Sequence, residues 1–295
     1  FNGYMHSSSE KKWLEVHGLE HWSLYYTDYG NDLQKRFFDC FLKDDDSGWK
    51  DQPRVSLNVR SEGEKFYLRG EEDWPIPRTE WTKFYLKADG HLLSPEEQVG
   101  EENISYKSTG DGVTFVSTPM ERDTEFCGPI ASKVWVSSDT KDADLFLVVR
   151  VFTPDFKEVV FHGALDPHTP VASGWLRASH RALDKDRSTE WAPFHTHKKA
   201  EPLTPGEIYE LDIEIHASGM VIPEGYRVAL SIRGRDYVYP GEPDAGLSNM
   251  KNQFTGVGPF LHDDLDNRPE DVFDNQVTIH IGPDRPSYLL LPIVN

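Results

Sequence analysis

Cysteine is scarce: Cys40 and Cys127 are the only two in 295 residues. Two widely spaced thiols exclude a disulfide framework and cannot build a four-cysteine zinc site. Basic residues are outnumbered, 31 Lys and Arg against 50 Asp and Glu, which leaves a net charge of −19 at pH 7. That field repels a phosphate backbone, so nucleic acid is not an expected partner. No apolar run approaches the ~20 residues needed to span a bilayer, and no membrane association is expected. The first residues, Phe1-Asn2-Gly3-Tyr4-Met5-His6, lack the basic and apolar regions of a signal peptide. The expectation is a cytoplasmic chain that is one piece of a longer protein.

Several catalytic signatures are missing as well. The chain has no Gly-x-Ser-x-Gly elbow, no Gly-x-x-x-x-Gly-Lys-Ser/Thr, no His-Glu-x-x-His and no Cys-x-x-Cys. What is present is a folding composition, with 16 Phe, 12 Tyr and 8 Trp, well outside the range of disordered chains.

The pattern changes near residue 50. Before it, a short apolar run at Trp13-Leu14-Glu15-Val16 precedes an amphipathic helix over 32–43, with Leu33, Phe37, Phe38, Phe41 and Leu42 on one stripe. A strand followed by a helix is the tail of an α/β arrangement. After it, short strand-like runs at 55–59, 83–86, 133–136, 144–151, 207–215, 226–232, 276–281 and 287–292, several with period two, are separated by Pro/Gly/Asp turns. That spacing predicts a mainly β chain, an antiparallel jelly-roll β-sandwich over residues 53–295, preceded by an α/β remnant over 1–52. The loops at 87–112, 162–206 and 234–274 are longer than ordinary connections, and such loops concentrate function.

Four groups of residues offer chemistry. His195-Thr196-His197 would place two imidazoles on one face of a strand, and His262-Asp263-Asp264 with Asp266 resembles a cation loop. No third ligand at matching spacing follows the His pair, and carboxylate-rich turns are more often solvated or capping, so no metal and no cofactor is expected. The tryptophans, several in loops beside Pro or Glu, serve either as core anchors or as a binding platform. His17 and His21 differ in position, since each follows a short strand and precedes the amphipathic helix. In α/β-hydrolases the last triad member is a His after the final strand.

Lys12-Trp13-Leu14-x-Val16-His17, Leu33-Gln34-x-Arg36-Phe37-Phe38-Asp39-x-Phe41-Leu42-Lys43 and Gly48-Trp49-x3-Pro53-x-Val55 resemble the end of the hydrolase domain in CocE/NonD serine hydrolases, of the cocaine-esterase and X-prolyl dipeptidyl-aminopeptidase type. Trp74-Pro75-x-Pro77, Phe126-Cys127-Gly128-Pro129, the run from Gly174 to Arg181, Pro202-Leu203-x-Pro205-Gly206, Ile222-Pro223-x-Gly225-Tyr226-Arg227 and Ser287-Tyr288-Leu289-Leu290-Leu291-Pro292 are similar to their C-terminal jelly roll. The resemblance implies a Ser-His-Asp triad that cleaves small esters or amides, X-Pro dipeptidyl substrates among them, with the His as general base. The Ser and Asp would lie outside this chain, which alone is expected to be inactive. Lys-Trp-Leu-x-x-His points to His17 as the base, and a Gly-Pro-Trp-x-His pattern laid over 17–21 points to His21. The implied partners are the substrate and the N-terminal hydrolase half. Without that half, the stripe on the helix would be exposed, with roughly 12 kcal/mol of burial lost as an upper bound, and would drive association into a homo-oligomer. A free-standing jelly-roll binding module for a carbohydrate or protein ligand is the alternative.

Overall fold

The computed structural model describes residues 1–18, 21–163, 166, 168–241 and 261–295. A short helix α1 (Asn2–His6) leads to strand β1 (Leu14–Val16) and helix α2 (Asp28–Lys43). Then come β2 (Val55–Ser61), β3 (Lys65–Glu71), β4 (Thr79–Lys87), β5 (Leu92–Ser94), β6 (Glu102–Lys107) and β7 (Val113–Ser117). The long strands β8 (Thr124–Ser138) and β9 (Asp144–Phe152) follow, then β10 (Glu158–Val159), β11 (Ala172–Arg177), β12 (Tyr209–Ile222) and β13 (Arg227–Arg233). Helix α3 (Glu270–Phe273), β14 (Gln276–Ile281) and β15 (Tyr288–Val294) complete the chain.

Helix α2 starts at Asp28, four residues before the expected start at Asp32. Thr27 caps it, its Oγ1 accepting from Gly30 N at 3.1 Å, and Asp28 sits in the first turn where the helix dipole favours a negative charge. Asp44 ends it in the left-handed conformation. Lys35–Asp39, Asp39–Lys43 and Asp32–Arg36 form i,i+4 pairs along the helix, with Asp39 buried beneath its two lysines. The apolar stripe divides: Phe37 turns inward, its ring 5.0 Å from that of Trp49, whereas Phe38, Phe41 and Leu42 are 51%, 38% and 76% exposed.

Strands β1, β2 and β3 form a small sheet in that order, β1 parallel to β2 and β2 antiparallel to β3. Strand pairing thus joins residues 55–71 to the α/β remnant across the expected division at 52/53. The other twelve strands form one continuous curled sheet whose two halves pack as a sandwich. One half carries β11, β9, β13 and β7, and the other β12, β8, β14 and β6, with β5, β4 and β15 bridging them. Leu145, Leu147, Val149 and Val151 of β9 meet Leu211, Ile213 and Ile215 of β12 in the core between them. At Gly174 of β11 the halves approach closely: a Cβ there would stand 2.3 Å from Glu214 O. A second cluster, with Val55, Leu57, Val59, Trp74, Ile76, Cys127 and Val294, joins the small sheet to the sandwich.

Two differences from the sequence expectation have local causes. β5 runs parallel to β7, because the chain crosses to β6 in the opposite half between them. β12 continues seven residues past Ile215 through a bulge between Ile215 and Ser218. The bulge moves the buried positions from Leu211, Ile213 and Ile215 to Met220 and Ile222, so the odd positions become even and a period-two reading stops at 215.

Asp144 opens β9 and is held by two guanidinium groups, Arg177 Nε at 2.7 Å and Arg268 Nε at 3.0 Å, with the carboxylate largely buried. Asp144→Asn leaves both cations without their counter-charge and lowers unfolding free energy by about 3 kcal/mol. Urea denaturation followed by tryptophan fluorescence measures it; a loss under about 0.5 kcal/mol would show that the pair is screened by solvent.

Candidate active-site edge

A cavity of about 210 Å³ lies where the small sheet meets the sandwich, between the end of β1, the end of β2 and the bulged part of β12. His17 lines it immediately after β1. Its turn is tight because Gly18 follows: a Cβ at Gly18 would enter the Phe66 ring of β3, 2.3 Å from Cε1. Asn58 of β2 donates from Nδ2 to Val16 O at 3.3 Å, tying the turn to the neighbouring strand.

His17 Nδ1 lies 3.0 Å from Gly18 O. A carbonyl only accepts, so Nδ1 carries the hydrogen and Nε2 of the neutral ring is the acceptor, the tautomer a general base requires. Glu15, two residues earlier on β1, interacts electrostatically with His17. Burial raises the Glu15 carboxyl above its ordinary range, against a hydrogen bond from the Tyr29 hydroxyl at 3.0 Å, and Tyr29 itself is pushed up to about 12, first by burial and then by Glu15. His21 is exposed, its ring edge-on to Trp22 at 4.5 Å, and does not line the cavity. Leu19 and Glu20, which complete the 17–21 pattern, lie outside the described residues.

The cavity holds no activated nucleophile among the described residues. Cys127 lines it, but burial pushes the thiol up to about 12, leaving about one thiolate in 10⁴ at pH 8. Ser218 donates to Val171 O at 2.9 Å and accepts from Arg60, with no imidazole on its hydroxyl. Iodoacetamide at pH 8 will therefore alkylate the partly exposed Cys40 and spare Cys127 in the folded chain. Intact mass will show one adduct, and two adducts at the same rate would contradict the burial.

The other histidines fall elsewhere. His197 and His180 approach through their Nδ1 atoms at 3.4 Å, with His195 beside them, on a loop rather than a strand. No three His, Cys, Asp or Glu among the described residues are arranged to hold a metal. Asp264 accepts from Asp266 N and Asn267 Nδ2, a turn cap in place of a cation loop. Trp49 and Trp74 are core residues, whereas Trp175, on strand β11 and not in a loop, is 42% exposed beside a cleft of about 520 Å³ lined also by Phe146, Arg177 and His262. No described helix is long and apolar enough to cross a membrane.

Residues 47–290 match the X-Pro dipeptidyl-peptidase C-terminal non-catalytic domain. The chain is 23% identical to a cocaine esterase from Rhodococcus sp. (strain MB1 Bresler), covering 89% of this chain and 45% of the esterase. The crystal structure of a CocE/NonD family hydrolase from Staphylococcus aureus is similar over 100% of this chain and 51% of its own, with TM-score 0.86 and 31% identity. An aminopeptidase from a marine sediment Thaumarchaeota archaeon shares the fold, with TM-score 0.60 and 13% identity over 91% of this chain and 45% of its own. The chain thus spans about half the length of the relatives it matches.

Proposed function

The chain belongs to the X-Pro dipeptidyl-peptidase C-terminal non-catalytic domain family, and on that premise we propose that it is the C-terminal portion of a serine hydrolase that cleaves small esters or amides through a Ser-His-Asp triad. The serine and the acid of that triad lie outside this chain, and His17 is the base. The observation that carries this reading is the placement of His17: a glycine-backed turn after a parallel strand, with its Nε2 free to accept a proton, at the rim of the cavity between the two sheets. The lack of an activated nucleophile in that cavity accords with a partner segment that supplies one. In this reading residues 1–52 are the end of the hydrolase domain and residues 53–295 the jelly-roll portion, with β2 and β3 of the latter paired to β1.

A fluorophosphonate probe, which phosphonylates activated serines with loss of fluoride, tests this directly. The full-length protein will be labelled and will hydrolyse 4-nitrophenyl acetate or an X-Pro 4-nitroanilide, while residues 1–295 alone will do neither. Labelling of the isolated chain, or an unlabelled and inert full-length protein, would remove the proposal. A binding role for the jelly roll is the second reading, favoured by the exposed Trp175 at its cleft. Loss of a sugar-induced fluorescence change in Trp175→Ala would establish it.

A further inference from the structure

Buried guanidinium groups in this molecule have carboxylate partners. Arg150 pairs with Glu158 at 2.6 Å, Arg268 with Asp144, and Arg69 with Glu71 and Glu125. Arg60, at the end of β2, does not. Its guanidinium lies over the Phe161 ring, 3.4 Å from the centroid. Nη2 donates to Ser218 Oγ at 3.2 Å, and no Asp or Glu oxygen among the described residues lies within the 4 Å of an ion pair with it. Glu64, which lines the same cavity, is the carboxylate whose field reaches Arg60; its Oε1 accepts from His162 N at 2.6 Å, and it forms no ion pair with the guanidinium.

An arginine carries five N–H donors in a planar fork, and burying a cation without an anion costs several kcal/mol. Burial accordingly pulls Arg60 down to about 10. Arg60 is one of the walls of the 210 Å³ cavity that also holds His17 and Asn58. A fork of free donors facing such a space matches a carboxylate, which accepts two parallel N–H bonds.

We propose that Arg60 binds the carboxylate of a small-molecule substrate or product in this cavity, making it a specificity-determining residue for anionic acyl compounds. Only the assignment of that compound as a substrate rests on the hydrolase reading; anion binding by Arg60 stands on a buried guanidinium that lines the cavity without an ion pair. The Phe161 ring fixes the plane of the guanidinium, so the donors are oriented before the ligand arrives. Lysine at this position would keep the charge and lose the two-pronged geometry.

The test is calorimetric titration of succinate into the full-length protein, wild type and Arg60→Gln. Wild type will bind, and Arg60→Gln will weaken binding at least about 30-fold, with Arg60→Lys intermediate. Equal affinity in wild type and Arg60→Gln overturns the proposal, as does the absence of succinate binding by wild type. The second arm compares kcat/KM for 4-nitrophenyl hydrogen glutarate with that for 4-nitrophenyl butyrate. Their ratio will favour the anionic ester in wild type and fall at least about tenfold in Arg60→Gln. An unchanged ratio overturns the specificity role. Calorimetry needs no turnover, so a protein that hydrolyses neither ester yet binds succinate through Arg60 refutes only the hydrolase reading.

Discussion

In the full-length protein, His17→Ala will lower kcat by about 10⁴-fold, while His21→Ala will change it by about threefold or less. The base takes the serine proton during acylation, and without it the nucleophile stays a neutral hydroxyl whose attack is slow. His17 offers an acceptor nitrogen at a cavity, fixed by its Nδ1 contact to Gly18 O. His21 is solvated and packs only against Trp22. Steady-state kinetics on a 4-nitrophenyl ester decide between them, with circular dichroism to confirm that each variant is folded. A 10⁴-fold loss in His21→Ala with an active His17→Ala would reverse the assignment. Near-wild-type rates in both would remove the triad reading from this segment altogether.

The isolated chain will self-associate, and the substitutions Phe38→Lys and Leu42→Lys together will weaken that association about 10²-fold. Phe38, Phe41 and Leu42 expose much of their surface on one side of α2. Tyr25 and Tyr26 add 57% and 74% exposed rings nearby. Covering the three α2 side chains contributes about 4 kcal/mol, since complete burial of each is worth roughly 1.5–3 kcal/mol and part of each is already covered. This is less than the five-residue stripe in the sequence implied, because Phe37 already packs against Trp13 and Trp49. Analytical ultracentrifugation over a dilution series measures the effect. The same double variant will lose affinity for a separately expressed N-terminal portion, if that portion covers the same face. A wild-type chain that stays monomeric at high concentration with α2 folded would contradict both.

The elements that were legible in the sequence were those whose order is local. The period of two set β13 and β14, where Val228, Leu230 and Ile232, and Val277, Ile279 and Ile281, alternate onto the sandwich core, while β9 and β15 read as short apolar runs buried on both faces. The period of 3.6 set α2, although its start at Asp28 depended on the Thr27 cap and not on the apolar stripe. The reading ended where local order changes phase, at the bulge after Ile215, and where β8 runs through Gly128 and Pro129 before the alternation at 133–136 becomes visible.

The candidate site was half legible. His17 followed from its place after a short strand and before a helix, which is local information. Arg60 left no such signal, because an arginine in Val55-Ser56-Leu57-Asn58-Val59-Arg60 reads as a polar residue at the end of an alternating strand. Its partners are distant in sequence: Phe161 is 101 residues away and Ser218 is 158 residues away.

The sequence by itself determined a mainly β chain with an α/β stub, the amphipathic face of α2 and the lack of a nucleophile elbow, since each depends on side chains within a turn or a strand of one another. Only the tertiary structure decided that β2 and β3 join β1, that β5 lies parallel to β7, and that Arg60 shares a cavity with His17 without forming an ion pair there. The physical reason is that charge pairing and cavity shape depend on distances through space. Packing of the two sheets sets those distances, and no periodicity along the chain encodes them.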